Sequence, residues 1–142
     1  ASQIVTHKDK HWIYYNGFPE RHGIGNRGKY GIGLATVKLD RFIGQQAHGQ
    51  QPGSLVTRPF KLAGTKLQVN VNAAAGRIRV EVLDAERNPL PGFSGSGAPW
   101  QPAIDSLRWE PQWKTDLAPL RGKRVRLRFQ LQNASLYAFQ IK

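Results

Sequence analysis

Cysteine is absent from this 142-residue chain, so neither a disulfide framework nor a thiolate metal site can be built from it. No apolar run approaches the ~20 residues of a membrane-crossing helix. No signal peptide is visible at Ala1-Ser2-Gln3, which, with Ile4-Val5 close behind, reads as the interior of a longer protein. No window of a dozen residues keeps apolar spacing at three and four, so helices are not expected. Nor does any 20–50-residue segment recur, which excludes a complete propeller or solenoid. Acidic residues are scarce, 9 against 21 Lys and Arg, giving a net charge of +12. Such a surplus attracts polyanions: nucleic acid, an anionic membrane, or an acidic or sulfated polysaccharide. It is spread along the chain and not gathered in a tail, which argues for a folded surface over a disordered basic arm.

What is present is alternation. Arg124-Val125-Arg126-Leu127-Arg128-Phe129-Gln130-Leu131 puts apolar side chains on one side of a strand and cations with an amide on the other. Residues 77–82 (Arg-Ile-Arg-Val-Glu-Val) and 66–72 (Lys-Leu-Gln-Val-Asn-Val-Asn) repeat the pattern. A period of two marks half-buried strands and favours antiparallel sheets. Fifteen Gly and nine Pro punctuate the chain at short intervals. The spacing predicts about nine or ten short strands in an all-β, antiparallel, jelly-roll-like β-sandwich. Strands are expected at 11–17, 30–39, 41–46, 54–59, 61–62, 65–72, 77–83, 104–113, 124–132 and 136–141. Residues 19–29 read as a Gly-rich loop, and 73–76, 84–88 and 117–123 as turns.

Catalytic signatures are thin. Glycoside hydrolysis needs two carboxylates about 5–10 Å apart. The nine available mostly fall at turns, Asp84 and Glu86 in the same one, and none forms a recognisable acid/base pair. Ser94 and Ser96 lack the strand–turn–helix context of a nucleophile elbow. Gly23-Ile24-Gly25-Asn26-Arg27-Gly28 precedes no helix, so it is not a dinucleotide fingerprint. His7, His11, His22 and His48 match no zinc spacing, and no metal ligands are assigned. A structural Ca²⁺ held by Asp84, Glu86 and Asp105 is the one cofactor weighed, without a supporting motif.

The expectation is therefore a binding surface. Guanidinium groups pair with sulfate or carboxylate in bidentate fashion, amides bond sugar hydroxyls, and aromatic rings stack on sugars. The candidate ligand-binding residues are Trp100, Trp113, Arg77, Arg79, Arg124, Arg126, Arg128, Lys66, Gln68 and Asn70. Trp100, in a Gly/Ser/Pro loop, is the candidate exposed platform. Trp109 shares the parity of Leu107 and belongs to the core. The competing expectation is that the arginines merely pair with Glu81 and Glu110 across the sheet. One of the pairs Trp12/Tyr14 and Ile13/Tyr15, on opposite faces of a strand, is expected to be buried. A single-stranded nucleic-acid binder would also use a basic, aromatic groove, but no such module's signature is present.

Residues 11–17 (His-Trp-Ile-Tyr-Tyr-Asn-Gly) and 31–42 (Gly-Ile-Gly-Leu-Ala-Thr-Val-Lys-Leu-Asp-Arg-Phe) resemble the last propeller segment and exit of proteins similar to glycoside hydrolase families thirty-two and forty-three. Arg41 stands where that pattern has Gly. Segments 77–85, 89–94, 120–129 and 136–139 resemble the β-sandwich that follows in such proteins. The resemblance implies a propeller-exit hairpin at 1–43, packed on a β-sandwich domain at 44–142. It also implies an extracellular or periplasmic setting and a catalytic domain of the same polypeptide as partner. The blades bearing the family's catalytic carboxylates are not in this chain, so no catalytic residue carries over. The function implied is a non-catalytic carbohydrate-binding module, not an enzyme, that holds an anionic (sulfated or uronic-acid) polysaccharide. The alternative is a structural sandwich buttressing the catalytic domain, with no ligand of its own. Neither reading calls for a membrane.

Overall fold

A computed structural model describes residues 3–18 and 30–142. The loop expected at 19–29, with His22 and the Gly23–Gly28 string, lies outside the described residues. The chain divides into two compact units, Ala1–Phe42 and Ile43–Lys142. All ten strands found among the described residues pair antiparallel.

In the first unit β1 (Ile4–His7), β2 (Lys10–Gly17) and β3 (Gly31–Lys38) form a three-stranded sheet in that order. β1 escapes the sequence pattern because its hairpin is closed by Lys8 and Asp9. These adopt φ +47° and +60° without the Asn-Gly pair that usually announces two positive angles. His11 stacks on Phe42 at 4.9 Å and meets Thr6 Oγ1 through Nδ1 at 2.9 Å. Its Nε2 accepts from the Asp40 amide at 3.2 Å, so the proton of a neutral ring belongs on Nδ1. His7 and His11 sit on different strands and opposite faces, which separates the pair as metal ligands.

The second unit is one seven-stranded sheet: β4 (Gln45–Ala47), β5 (Gly53–Val56), β6 (Phe60–Lys61), β7 (Leu67–Asp84), β8 (Gln101–Trp109), β9 (Arg124–Gln132) and β10 (Ala134–Ile141). Its frame is β7, 18 residues long. Positions 67–72 pair with β10 and 77–84 with β9; these partners are consecutive in the chain, so they run as one ribbon along one edge of β7. β8 follows the opposite edge, and β4, β5 and β6 flank the β9–β10 ribbon. The ribbons bend together near 73–76. There Asn133 takes φ +43° and Ala103 φ +51°, and β7 shifts register against β8 between Ala73 and Arg77. The expected sandwich thus forms from two halves of one folded sheet.

The bend explains why 73–76 reads as a turn. Leu67, Val69, Val71 and Ala73 point inward before it, Ile78, Val80 and Val82 after it, so the buried parity changes from odd to even. A turn between two strands and a bulged corner within one strand give the same sequence pattern. Gly76 is required at the corner, because a Cβ there would strike the carbonyl oxygens of Gln132 and Asn133. The core closes with Val125, Leu127, Phe129 and Leu131 from β9, and Phe93, Leu117 and Leu120 from the loops. The short strand expected at 41–46 is found at Gln45–Ala47. β8 starts earlier than expected and stops at Trp109, leaving Trp113 in the following loop.

Candidate functional site

The arginine faces form as the alternation predicts, but they are largely occupied. Glu81, only 3% exposed, lies directly opposite Arg128 and accepts from its Nε at 2.6 Å. Glu81 also accepts from the Gly95 amide at 2.9 Å and stands 3.9 Å from Arg79. Arg79 donates from Nε to the Ala98 carbonyl at 2.6 Å and from a terminal nitrogen to that of Gly95. Arg126 donates to the carbonyls of Ala85 (2.9 Å) and Thr57 (3.0 Å). Arg79 and Arg126 therefore pin the loops at 57 and 85–98 onto the sheet, while Arg128 is held by Glu81. The cross-strand pairing with an acid weighed from the sequence is realised at Arg128 and Glu81.

The remaining candidates separate. Arg124 is exposed opposite Lys61 at the end of β9. Lys66, Gln68 and Asn70 lie on the other side of the bend from Arg77 and Arg79, so the cationic and amide-rich strands do not share one surface. Gln68 donates to Glu110 and accepts from Gln140, each at 2.9 Å, making a polar ladder from β10 across β7 to the residue just past β8. Asn70 is 5% exposed and buried.

Exposed Lys66 reaches a polar cleft of about 220 Å³, lined also by Glu110, Gln112, Trp113, Lys114 and Asp116. Trp113 is anchored there. Its Nε1 donates to the Val80 carbonyl at 2.8 Å and its ring meets Phe93 edge-on at 5.8 Å, so it packs against the core. Trp109 packs against the core too, as its parity predicts.

One group of candidates does converge. Arg77 and Arg79 alternate on the outer side of β7, and Trp100 enters β8 beside them. The Arg77 guanidinium lies 4.6 Å and that of Arg79 5.5 Å from the Trp100 ring centroid. Trp100 is thus covered by cations instead of open as a stacking platform. Arg77 Nε donates to Gln132 Oε1 at 2.6 Å, and Gln132 Nε2 turns to the Gln50 carbonyl. Gln132 was not singled out from sequence, although it continues the outward parity of Arg124 to Gln130; its meeting with Arg77 needs the strand register.

The acids weighed for Ca²⁺ do not assemble, and no group of three His, Cys, Asp or Glu suited to a metal ion occurs among the described residues. Asp84 organises its own turn, accepting from the Glu86 amide (2.9 Å), the Asn88 amide (2.8 Å) and the Asn88 side chain (2.8 Å). These bonds, the Asn88 side chain first, hold its carboxyl below the ordinary aspartate range.

Both faces of the first sheet carry apolar and aromatic side chains. Register puts Val5, Trp12, Tyr14, Ile32 and Leu34 on one face, and Ile4, Ile13, Tyr15, Ala35 and Val37 on the other. Ile32 is 78% exposed, Ile4 55% and Tyr14 51%. Neither Tyr14 nor Tyr15 is buried, contrary to the expectation that one of the two aromatic pairs would be. Val5, His7, Trp12 and Tyr14 line a hollow of about 230 Å³. Tyr15 lies over Gly33, where a Cβ would meet its ring. Among known proteins, no family model, curated sequence or solved structure matches this chain.

Proposed function

We propose that this chain is a non-catalytic accessory module of a larger glycan-active protein, and that its first role is structural. The 4–38 sheet docks against neighbouring β-sheets of that protein, and the 43–142 sandwich buttresses the assembly. The observation that carries this reading is that the small sheet exposes apolar and aromatic side chains on both faces. An antiparallel sheet that ends a domain keeps one polar face. One that is apolar on both needs cover on both, as blades have inside a propeller. Magnitudes favour this role over a broad arginine surface. Fully burying an Ile or Tyr contributes about 1.5–3 kcal/mol. An exposed ionic contact contributes about 0–1 kcal/mol, and three of the candidate arginines are already engaged. The resemblance of 11–17 and 31–42 to a propeller exit points the same way.

Sedimentation and binding of an apolar dye by the 142-residue chain test the reading. The expected result is strong dye binding and self-association at micromolar concentration. Ile32→Lys with Tyr14→Lys should diminish both, and adding Ile4→Lys should abolish them. A monomeric chain that binds no dye would overturn it.

A further inference from the structure

We propose that Arg77, fixed by Trp100 and Gln132, is a receptor for a single oxyanion, a sulfate ester or carboxylate carried on a glycan. The argument starts from how guanidinium groups bind. Their planar fork matches two oxygens at once, but a free arginine must first give up its rotamer freedom. Arg77 has already done so. Its stem leaves β7 at a fixed register, its guanidinium carbon lies 4.6 Å from the Trp100 ring centroid, and its Nε is bound to Gln132 at 2.6 Å. Gln132 cannot turn away, because its amide nitrogen is committed to the Gln50 carbonyl. What is left is the outer edge of the fork, two terminal nitrogens on an exposed residue with no carboxylate partner among the described residues.

The neighbouring arginines show the contrast. Arg128 is neutralised by Glu81, and Arg79 and Arg126 spend their donors on loop carbonyls. Arg79 adds a second positive charge behind Trp100 without offering a free fork. The field at this spot is therefore positive while the geometry offers one bidentate seat.

The same arrangement selects the ligand class. Single-stranded nucleic acid is gripped mainly by bases stacking on open aromatic rings, and the ring here is occupied by guanidinium groups. A neutral sugar would need that ring too. A glycan bearing an acidic substituent needs only the fork, with the exposed Gln50 amide beside it for a hydroxyl.

All the residues concerned lie in 43–142, so the site stands apart from the docking reading: dye binding and self-association can fail while this site binds, and the reverse. The test is calorimetric or NMR titration of the full chain with four probes: an O-sulfated galactan oligosaccharide, an oligogalacturonide, the desulfated galactan of equal length, and inorganic sulfate. The expected result is binding of at least one charged oligosaccharide, none of the desulfated one, and weaker binding of sulfate alone. Arg77→Lys keeps the charge but loses the fork and should weaken binding at least about fivefold, with amide shifts at 77, 100 and 132. Arg58→Lys, an exposed arginine elsewhere, should change nothing. Gln132→Leu, which frees Arg77 but leaves it in place, should weaken binding in the same direction by less. Equal binding by wild type and Arg77→Lys would overturn the proposal. So would equal binding of the desulfated probe, no binding of either charged oligosaccharide, or tighter binding of a single-stranded oligonucleotide of matched charge.

Discussion

Glu81 ties β7 to β9 and to the loop at 95. It is nearly buried, faces Arg128, stands near Arg79 and holds the Gly95 amide. Glu81→Gln keeps the volume and removes the charge, leaving two cations facing each other across the strands. Breaking a fully buried ion pair costs about 3–5 kcal/mol. Arg128 keeps 29% of its side-chain exposure, so the expected loss is smaller, about 2–3 kcal/mol, read from urea unfolding. Asp84 makes the opposite kind of contribution, local and pH-dependent. Its folded-state pKa is lowered from 3.8 by bonds from Asn88 and the turn amides. The stabilisation is therefore complete above the unfolded-state value and lost as pH falls through the lower folded-state one. As pH falls below about 4, wild type should lose stability more steeply than Asp84→Asn, as measured by unfolding at each pH. A slope equal in the two proteins would remove Asp84 as the cause.

Among the strands, β7 decides the architecture, and its corner is the vulnerable point. Ala, the best helix former and an ordinary small residue, would be harmless at 76 if that segment were a free turn. In the corner a Cβ at 76 meets backbone oxygens of Gln132 and Asn133, which no rotamer change can relieve. Gly76→Ala should destabilise the protein by about 2–4 kcal/mol, in the range of other backbone-strain substitutions. Ala75→Gly, one position away and exposed, should cost no more than about 1 kcal/mol. The same thermal unfolding series reads both. A small effect at 76 would mean the ribbons are not held in contact there.

The chain as a whole joins a unit with a buried core to a sheet whose described residues add nothing to that core. The buried cluster runs from Leu62 to Leu136 and lies entirely within 43–142. A three-stranded sheet with both faces in water is marginal by itself. Residues 43–142 alone should therefore unfold in one cooperative transition, at nearly the midpoint of the full chain. The dye-binding surface should go with the deleted part. Loss of cooperativity in the shortened protein would show that 1–42 contributes to the core.

Alternation along 66–72, 77–82 and 124–131 was enough to give the fold class, the antiparallel pairing and the inward residues. A strand with period two buries one side whatever lies beside it, so this information is local. The boundary expected near residue 43 rested on the resemblance of 11–17 and 31–42 to a propeller exit and not on alternation; the chain divides into its two compact units between Phe42 and Ile43. The fate of the cations was not legible. Outward parity says that an arginine leaves the core, but not whether it meets water, a carboxylate or a loop carbonyl. Arg79, Arg126 and Arg128 were captured by Gly95, Ala85, Thr57 and Glu81, residues 16–69 positions away in sequence for the three contacts to loops and 47 for the last. Arg77 kept its fork because its register neighbour is Gln132, an amide, and not an acid. Long-range register, set by the bend at 73–76, made that choice.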